Sequence, residues 1–124
     1  SVNLIVAQRL SRKICPHCKT RDDASKETLI QMGMDPETAG RVECLVGKGC
    51  PACGNSGFKG RIALYEVMPV TEEIRELILM GASASEIKNQ AISQGMKTLR
   101  QSGLTKITEG ITSVSEILRT TMAD

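Results

Sequence analysis

The sequence predicts an α+β chain, mainly α, in which a small subdomain with short strands is clipped at four cysteines and followed by a compact bundle of about four helices. Three observations carry this. Two Cys-x-x-Cys pairs, Cys15-Pro16-His17-Cys18 and Cys50-Pro51-Ala52-Cys53, stand 31 residues apart. Glycines crowd the second pair, at 47, 49, 54, 57 and 60. After Thr71, capping signals and apolar residues at helical spacing recur to the end of the chain. The boundaries drawn are residues 1–14 as the end of a preceding domain, 15–61 as the clip, and 62–124 as a strand with the helices.

Taken in order, Val2, Leu4, Ile5 and Val6 predict extended structure. The more polar Gln8-Arg9-Leu10-Ser11-Arg12 then predicts a short helix. The first cysteine pair comes next. Two intervening residues let the chain turn so that both sulfurs face one ion, and two such knuckles supply the four soft ligands of a closed tetrahedral site. Cys15, Cys18, Cys50 and Cys53 are therefore the candidate metal ligands, and structural zinc is the expected ion. The same ligands suit an iron centre, and the spacing alone leaves disulfides and free thiols open. His17, inside its knuckle, is expected to point away from the metal. Cys44 leaves the count odd and is expected to be a small buried hydrophobe.

Between the knuckles the intervening segment exceeds the roughly 15–20 residues of the usual four-cysteine ribbon, so it must carry structure of its own. Residues 22–41 predict two short helices: Leu29, Ile30 and Met32 give the first an apolar side and Gly33 ends it, while Asp35 caps the second with Pro36 in its first position. Residues 42–46 predict a short strand. Pro51 and Gly54 suit the second knuckle's turn, the one fixing φ and the other accepting φ > 0. Residues 61–70, rich in Ile, Leu, Tyr and Val, predict a strand ended by Pro69.

The helical half begins at Thr71, which caps a segment with Glu72 and Glu73 in its first turn, Ile74, Leu77 and Ile78 on one face, and Gly81 at its close. Ser83 and Glu86 make a capping box for a second helix with Ile87, Ala91 and Ile92 apolar and Gly95 as its stop. A third spans residues 98–109. Ser113 and Glu116 open a fourth, with Ile117 and Leu118 inward. These stripes are expected to form core, not a cofactor pocket.

Composition narrows the function classes. The formal charge is +2 over 124 residues, with ten Lys/Arg against six Asp/Glu in residues 1–61 and six against eight in 62–124. Arg9, Arg12, Lys13, Lys19 and Arg21 cluster locally and are expected to form a solvated face. The only aromatics are Phe58 and Tyr65, so a surface that stacks bases is not expected. A zinc-ribbon nucleic-acid module is the alternative reading, and an iron electron-transfer protein a third. No G-x-x-x-x-G-K-[ST] loop is present. Neither a run of ~20 apolar residues nor a signal-peptide pattern is present, and cysteines in x-x-spaced pairs without a secretory signal point to a reducing compartment, the cytoplasm.

Val6-Ala7-Gln8-Arg9-Leu10 before the first knuckle, Gly49-Cys50-Pro51-Ala52-Cys53, Gly57-Phe58-Lys59-Gly60-Arg61 and Tyr65-Glu66 together resemble the C-terminal region of the ATPases that drive type IV pilus assembly and type II secretion. Leu99-Arg100-Gln101-Ser102-Gly103-Leu104 and Gly110-Ile111-Thr112-Ser113 resemble the pilus-extension branch more than the secretion branch. The resemblance implies a hexameric motor with a RecA-like core before residue 15, ATP and Mg²⁺ bound by the full-length protein, and a cytoplasmic position against the inner membrane. It implies as partners the preceding core, neighbouring subunits, and inner-membrane platform and assembly proteins, with no nucleic acid. It also implies that this stretch, lacking the phosphate-binding loop, does not hydrolyse ATP by itself. Arg61 matches a family arginine that approaches the adenine of bound ATP.

Overall fold

The computed structural model describes residues 3–122; Val2 lies outside them. Its spine is an antiparallel ribbon of β1, Leu4–Ile14, and β4, Phe58–Pro69, in register from Leu4 opposite Pro69 to Arg12 opposite Arg61, with an irregularity before Ile14 meets Phe58. The short helix expected at residues 8–12 is therefore strand. Ser11 is fully buried between the exposed Leu10 and Arg12, and the extended backbone is set by pairing with β4 and not by local propensity.

At the far end of the ribbon, β2, Lys19–Arg21, pairs antiparallel with β3, Leu45–Gly47. The strand expected at 42–46 thus starts three residues later, and its partner had no signal of its own. Between them lie α1, Lys26–Met32, capped by Ser25 and ended by Gly33 in the left-handed region, and α2, Pro36–Arg41, capped by Asp35. Both match the expected insertion.

Beyond the ribbon come α3, Glu72–Leu79, α4, Ala84–Ser93, α5, Leu99–Thr108, and α6, Val114–Thr120, capped by Thr71, Ser83, Thr98 and Ser113. They do not share one bundle. The main core joins Leu29 and Met32 of α1, Leu64 of β4, Leu104 and Ile107 of α5 and Ile117 of α6. The inserted helices thereby claim the apolar sides of α5 and α6, and α3 and α4 close over a smaller cluster of Ile74, Ala91 and Met96 against Met68 and Val70. A layer only two helices deep covers only the middle of its apolar stripe. Ile78 and Ile92, expected inward, are accordingly exposed.

Helices α5 and α6 meet at Gly103, where an added Cβ would stand 2.7 Å from Ile117 Cγ2. Hydrogen atoms on both sides leave no room for more than glycine. Among the described residues no helix is long and apolar enough to cross a membrane.

Candidate metal centre

The ribbon and the small sheet deliver the two knuckles to one point. β1 runs directly into Cys15, whose N–H donates to Gly57 O at 2.9 Å. On the other side Lys48 N donates to Cys18 O, locking the approach to the second knuckle beside the exit from the first. The second knuckle turns through a short 3₁₀ segment, Pro51–Cys53, with Gly54 left-handed and Asn55 N returning to Cys50 O at 2.8 Å.

As a result the sulfurs of Cys15, Cys18, Cys50 and Cys53 lie within 4.8 Å of one another. The pairs Cys15–Cys50, Cys18–Cys53 and Cys50–Cys53 are each 3.8 Å apart. A tetrahedron with metal–sulfur bonds of about 2.3 Å has edges of about 3.8 Å, so the four thiols fit a single ion. They are far outside disulfide length, about 2.05 Å. His17 is exposed and outside this cluster. Cys44 is buried in the main core, and burial, with the Asp22 charge, raises its thiol pKa.

Backbone donors surround the sulfurs. Gly49 N approaches Cys18 Sγ at 3.3 Å, while Cys50 N and Gly57 N approach Cys53 Sγ at 3.4 and 3.2 Å. Desolvation opposes ionisation at both Cys18 and Cys53. With the neighbouring sulfurs it lifts Cys18 to about 11 despite the Gly49 N–H, but at Cys53 the Cys50 and Gly57 N–H groups, together with hydrogen bonds from the Cys50 and Cys18 thiols, outweigh it and bring the thiol down to about 6. Such donors serve a thiolate set bound to a cation. Gly47 and Gly57 lie back to back: a Cβ on either would overlap the carbonyl of the other. That contact has no signal in the sequence beyond glycine density.

The basic cluster is largely committed to internal contacts. Arg9 donates to Thr120 O at 2.9 Å and Lys19 to Gly110 O at 2.7 Å. Arg12 lies 4.1 Å from the centre of the Phe58 ring and 3.0 Å from Glu116. The expected solvated face is therefore, in three of its five members, a set of ties between β1, the clip and the helices. Arg61 lies opposite Arg12 in the ribbon, exposed, without an ion pair among the described residues.

Glu116 has a role that sequence reasoning missed. Ser113 accepts from Glu116 N as an N-cap should, but the carboxylate does not return to the cap. It is buried and turned to Arg12 and Arg119. The local Ser-x-x-Glu pattern contains nothing that separates the two outcomes.

Residues 1–119 match the family model for a type II/IV secretion system protein. The chain is 42% identical over 125 residues to the type IV pilus assembly ATPase PilB of Myxococcus xanthus, covering 100% of this chain and 22% of that protein. It is 42% identical over 118 residues to PilB of Thermus thermophilus, covering 95% and 13%. Against the type II secretion system protein E of Klebsiella pneumoniae it is 36% identical over 121 residues, covering 98% and 23%. The chain thus spans less than a quarter of the length of these relatives.

Proposed function

Because the chain belongs to the type II/IV secretion system protein family, we propose that it is the metal-clipped helical region of a secretion ATPase of the pilus-assembly kind, a structural and coupling module. The observation that carries the reading is the sulfur tetrahedron built into the end of the β1–β4 ribbon, in a chain more similar to pilus assembly ATPases, at 42%, than to the type II protein, at 36%.

In this reading Cys15, Cys18, Cys50 and Cys53 hold zinc. A bound zinc ion would supply a cross-link worth roughly 10–16 kcal/mol of apparent binding energy, coupled to folding. Residues 1–14 end a RecA-like ATPase core, 15–61 form the clip, and 62–124 form the strand and helical part. The outer face of the ribbon supports a preceding core, since Leu4, Val6, Leu10, Tyr65 and Val67 are all exposed along it; apolar rows of this kind are normally covered.

ATP and Mg²⁺ belong to the full-length protein, at the cytoplasmic face of the inner membrane, with neighbouring subunits of a hexamer and inner-membrane platform proteins as partners. Arg61, exposed and without an ion pair among the described residues, would meet the adenine there, by stacking or hydrogen bonding of its planar guanidinium. The chain's own task is mechanical: the clip stiffens one end of the ribbon, and Arg9, Arg12 and Lys19 pass that stiffness to the helices.

The test is elemental analysis of the purified chain with circular dichroism before and after a chelator. About one zinc per chain and a partial loss of structure on chelation, that of the clip, are the expected results. Chelation that removes metal and leaves fold and assembly untouched would overturn the coupling role.

A further inference from the structure

The tip of α3 carries apolar surface that the fold does not use. Leu79 is 80% and Met80 79% exposed, at the end of a helix whose buried side is set by Ile74. Successive residues of an α-helix are 100° apart, so Glu72, Glu76 and Leu79 fall on the side opposite Ile74. That side forms an open groove of about 520 Å³ lined by Val70, Glu72, Arg75, Glu76 and Leu79. Among the described residues neither Glu72 nor Glu76 makes an ion pair. Their i, i+4 spacing places two like charges side by side, which disfavours the isolated helix. The arrangement is therefore an apolar end and a rim of two carboxylates against one guanidinium, with no ion-pair partner for the carboxylates among the described residues.

We propose that the outer face of α3 is a docking surface for a basic amphipathic segment of another protein, with Leu79 and Met80 gripping its apolar residues and Glu72 and Glu76 pairing with its Lys or Arg side chains. Charge complementarity selects this occupant. An acidic segment would face both carboxylates, and a purely apolar one would leave them desolvated and unpaired. The groove begins at Val70, whose N–H donates to Asn3 O at the ribbon's end, and its apolar tip, Leu79 and Met80, stands at the other end of α3. The docking surface uses no property of the cysteine clip, so its failure and that of the metal reading are told apart by separate measurements.

The probe is a fluorescent synthetic amphipathic Lys/Leu helix, with a Glu/Leu helix of the same pattern as its counterpart, titrated against the full 124-residue metal-loaded chain. Anisotropy is expected to show saturable binding of the Lys/Leu helix that weakens with salt. Affinity should fall about tenfold in the double variant Leu79→Ser, Met80→Ser and again about tenfold in Glu72→Gln, Glu76→Gln, with unchanged circular dichroism. All four side chains are solvent-facing, and the two variants test the apolar and charged parts separately. No binding, equal binding of the Glu/Leu helix, or affinity unchanged in both variants would each overturn the proposal. Sedimentation of the parent as a dimer that both variants dissolve would also overturn it, by making the face a contact between copies of this chain.

Discussion

Glu116 and Arg12 are joined twice across the gap between the last helix and the first strand: the carboxylate, 1% exposed, accepts from Arg12 N at 2.7 Å and from its guanidinium at 3.0 Å. β1 has a strand on only one side. Along its other edge Glu116 takes the Arg12 N–H, Thr112 Oγ1 donates to Arg12 O at 2.8 Å, and Ile14 N donates to Ile111 O at 2.9 Å. A helix terminus and a loop thus cover an edge that would otherwise present free donors and acceptors.

The first prediction concerns that carboxylate. Burial would raise its pKa, but hydrogen bonds from Arg119 and Arg12 overcome this and hold it at about 2, against an ordinary 4.5. Because the folded-state pKa is lowered, the stabilisation is complete above about 4.5 and disappears as pH falls towards 2. The shift corresponds to roughly 3 kcal/mol. Urea unfolding of the parent and Glu116→Gln should therefore differ by about that amount at pH 7, and the gap should close progressively below pH 4.5. A gap independent of pH would mean that shape, not charge, holds α6 to β1.

The second concerns the backs of the knuckles. Gly47 and Gly57 touch through backbone alone, and Gly57 N also donates to Cys53 Sγ. Gly47→Ala must push the second knuckle outward, away from the sulfurs of the first. Metal affinity, measured by competition with a chromophoric chelator, is expected to fall roughly 10–100-fold, the usual penalty for disturbing groups that orient ligands. Gly54→Ala has open space around its Cβ and should show only the smaller cost of its left-handed backbone.

The third concerns the seam between α5 and α6. At Gly103 a methyl group would press on Ile117, which is fully buried and has nowhere to turn. Ala is the better helix former by about 1 kcal/mol, yet Gly103→Ala is expected to destabilise by roughly 1–3 kcal/mol through overpacking. The double variant Gly103→Ala, Ile117→Val should recover part of the loss. Stabilisation by the single change would show that the helices can separate at no cost.

What the sequence made legible was local. The four clustered cysteines, the Asp35-Pro36 start of α2, the Ser83 and Glu86 capping box and the Thr71 cap are all written within a few residues, and each stands as expected. What it concealed depends on distant partners. Residues 8–12 become strand because β4 lies alongside, nearly the whole clip away in sequence, and Lys19–Arg21 becomes β2 only because β3 returns to it. Glu116 carries a capping pattern and is diverted by an arginine at the other end of the chain. The expected four-helix bundle is split because α1 contributes Leu29 and Met32 to the space beside α5 and α6. Helical periodicity marks a face as apolar without naming what covers it.

The last prediction orders the five thiols. Cys44 is buried in the main core, its pKa raised by burial and by Asp22, and its sulfur is not one of the clustered four. A thiolate is the reactive form, so Cys44 should react slowly whether or not the clip is loaded. The other four should be protected by metal and released together by a chelator, since a tetrahedral site loses its ion as a unit. Titration with a disulfide reagent in native buffer should then show almost no fast thiol in the loaded chain, four fast thiols on chelation, and the fifth only on unfolding. Cys44→Ala should remove the slow phase alone and leave metal content unchanged. If the chelated chain instead exposes all five at one rate, the clip and the main core unfold together, and the metal supports the helical half as well as the knuckles.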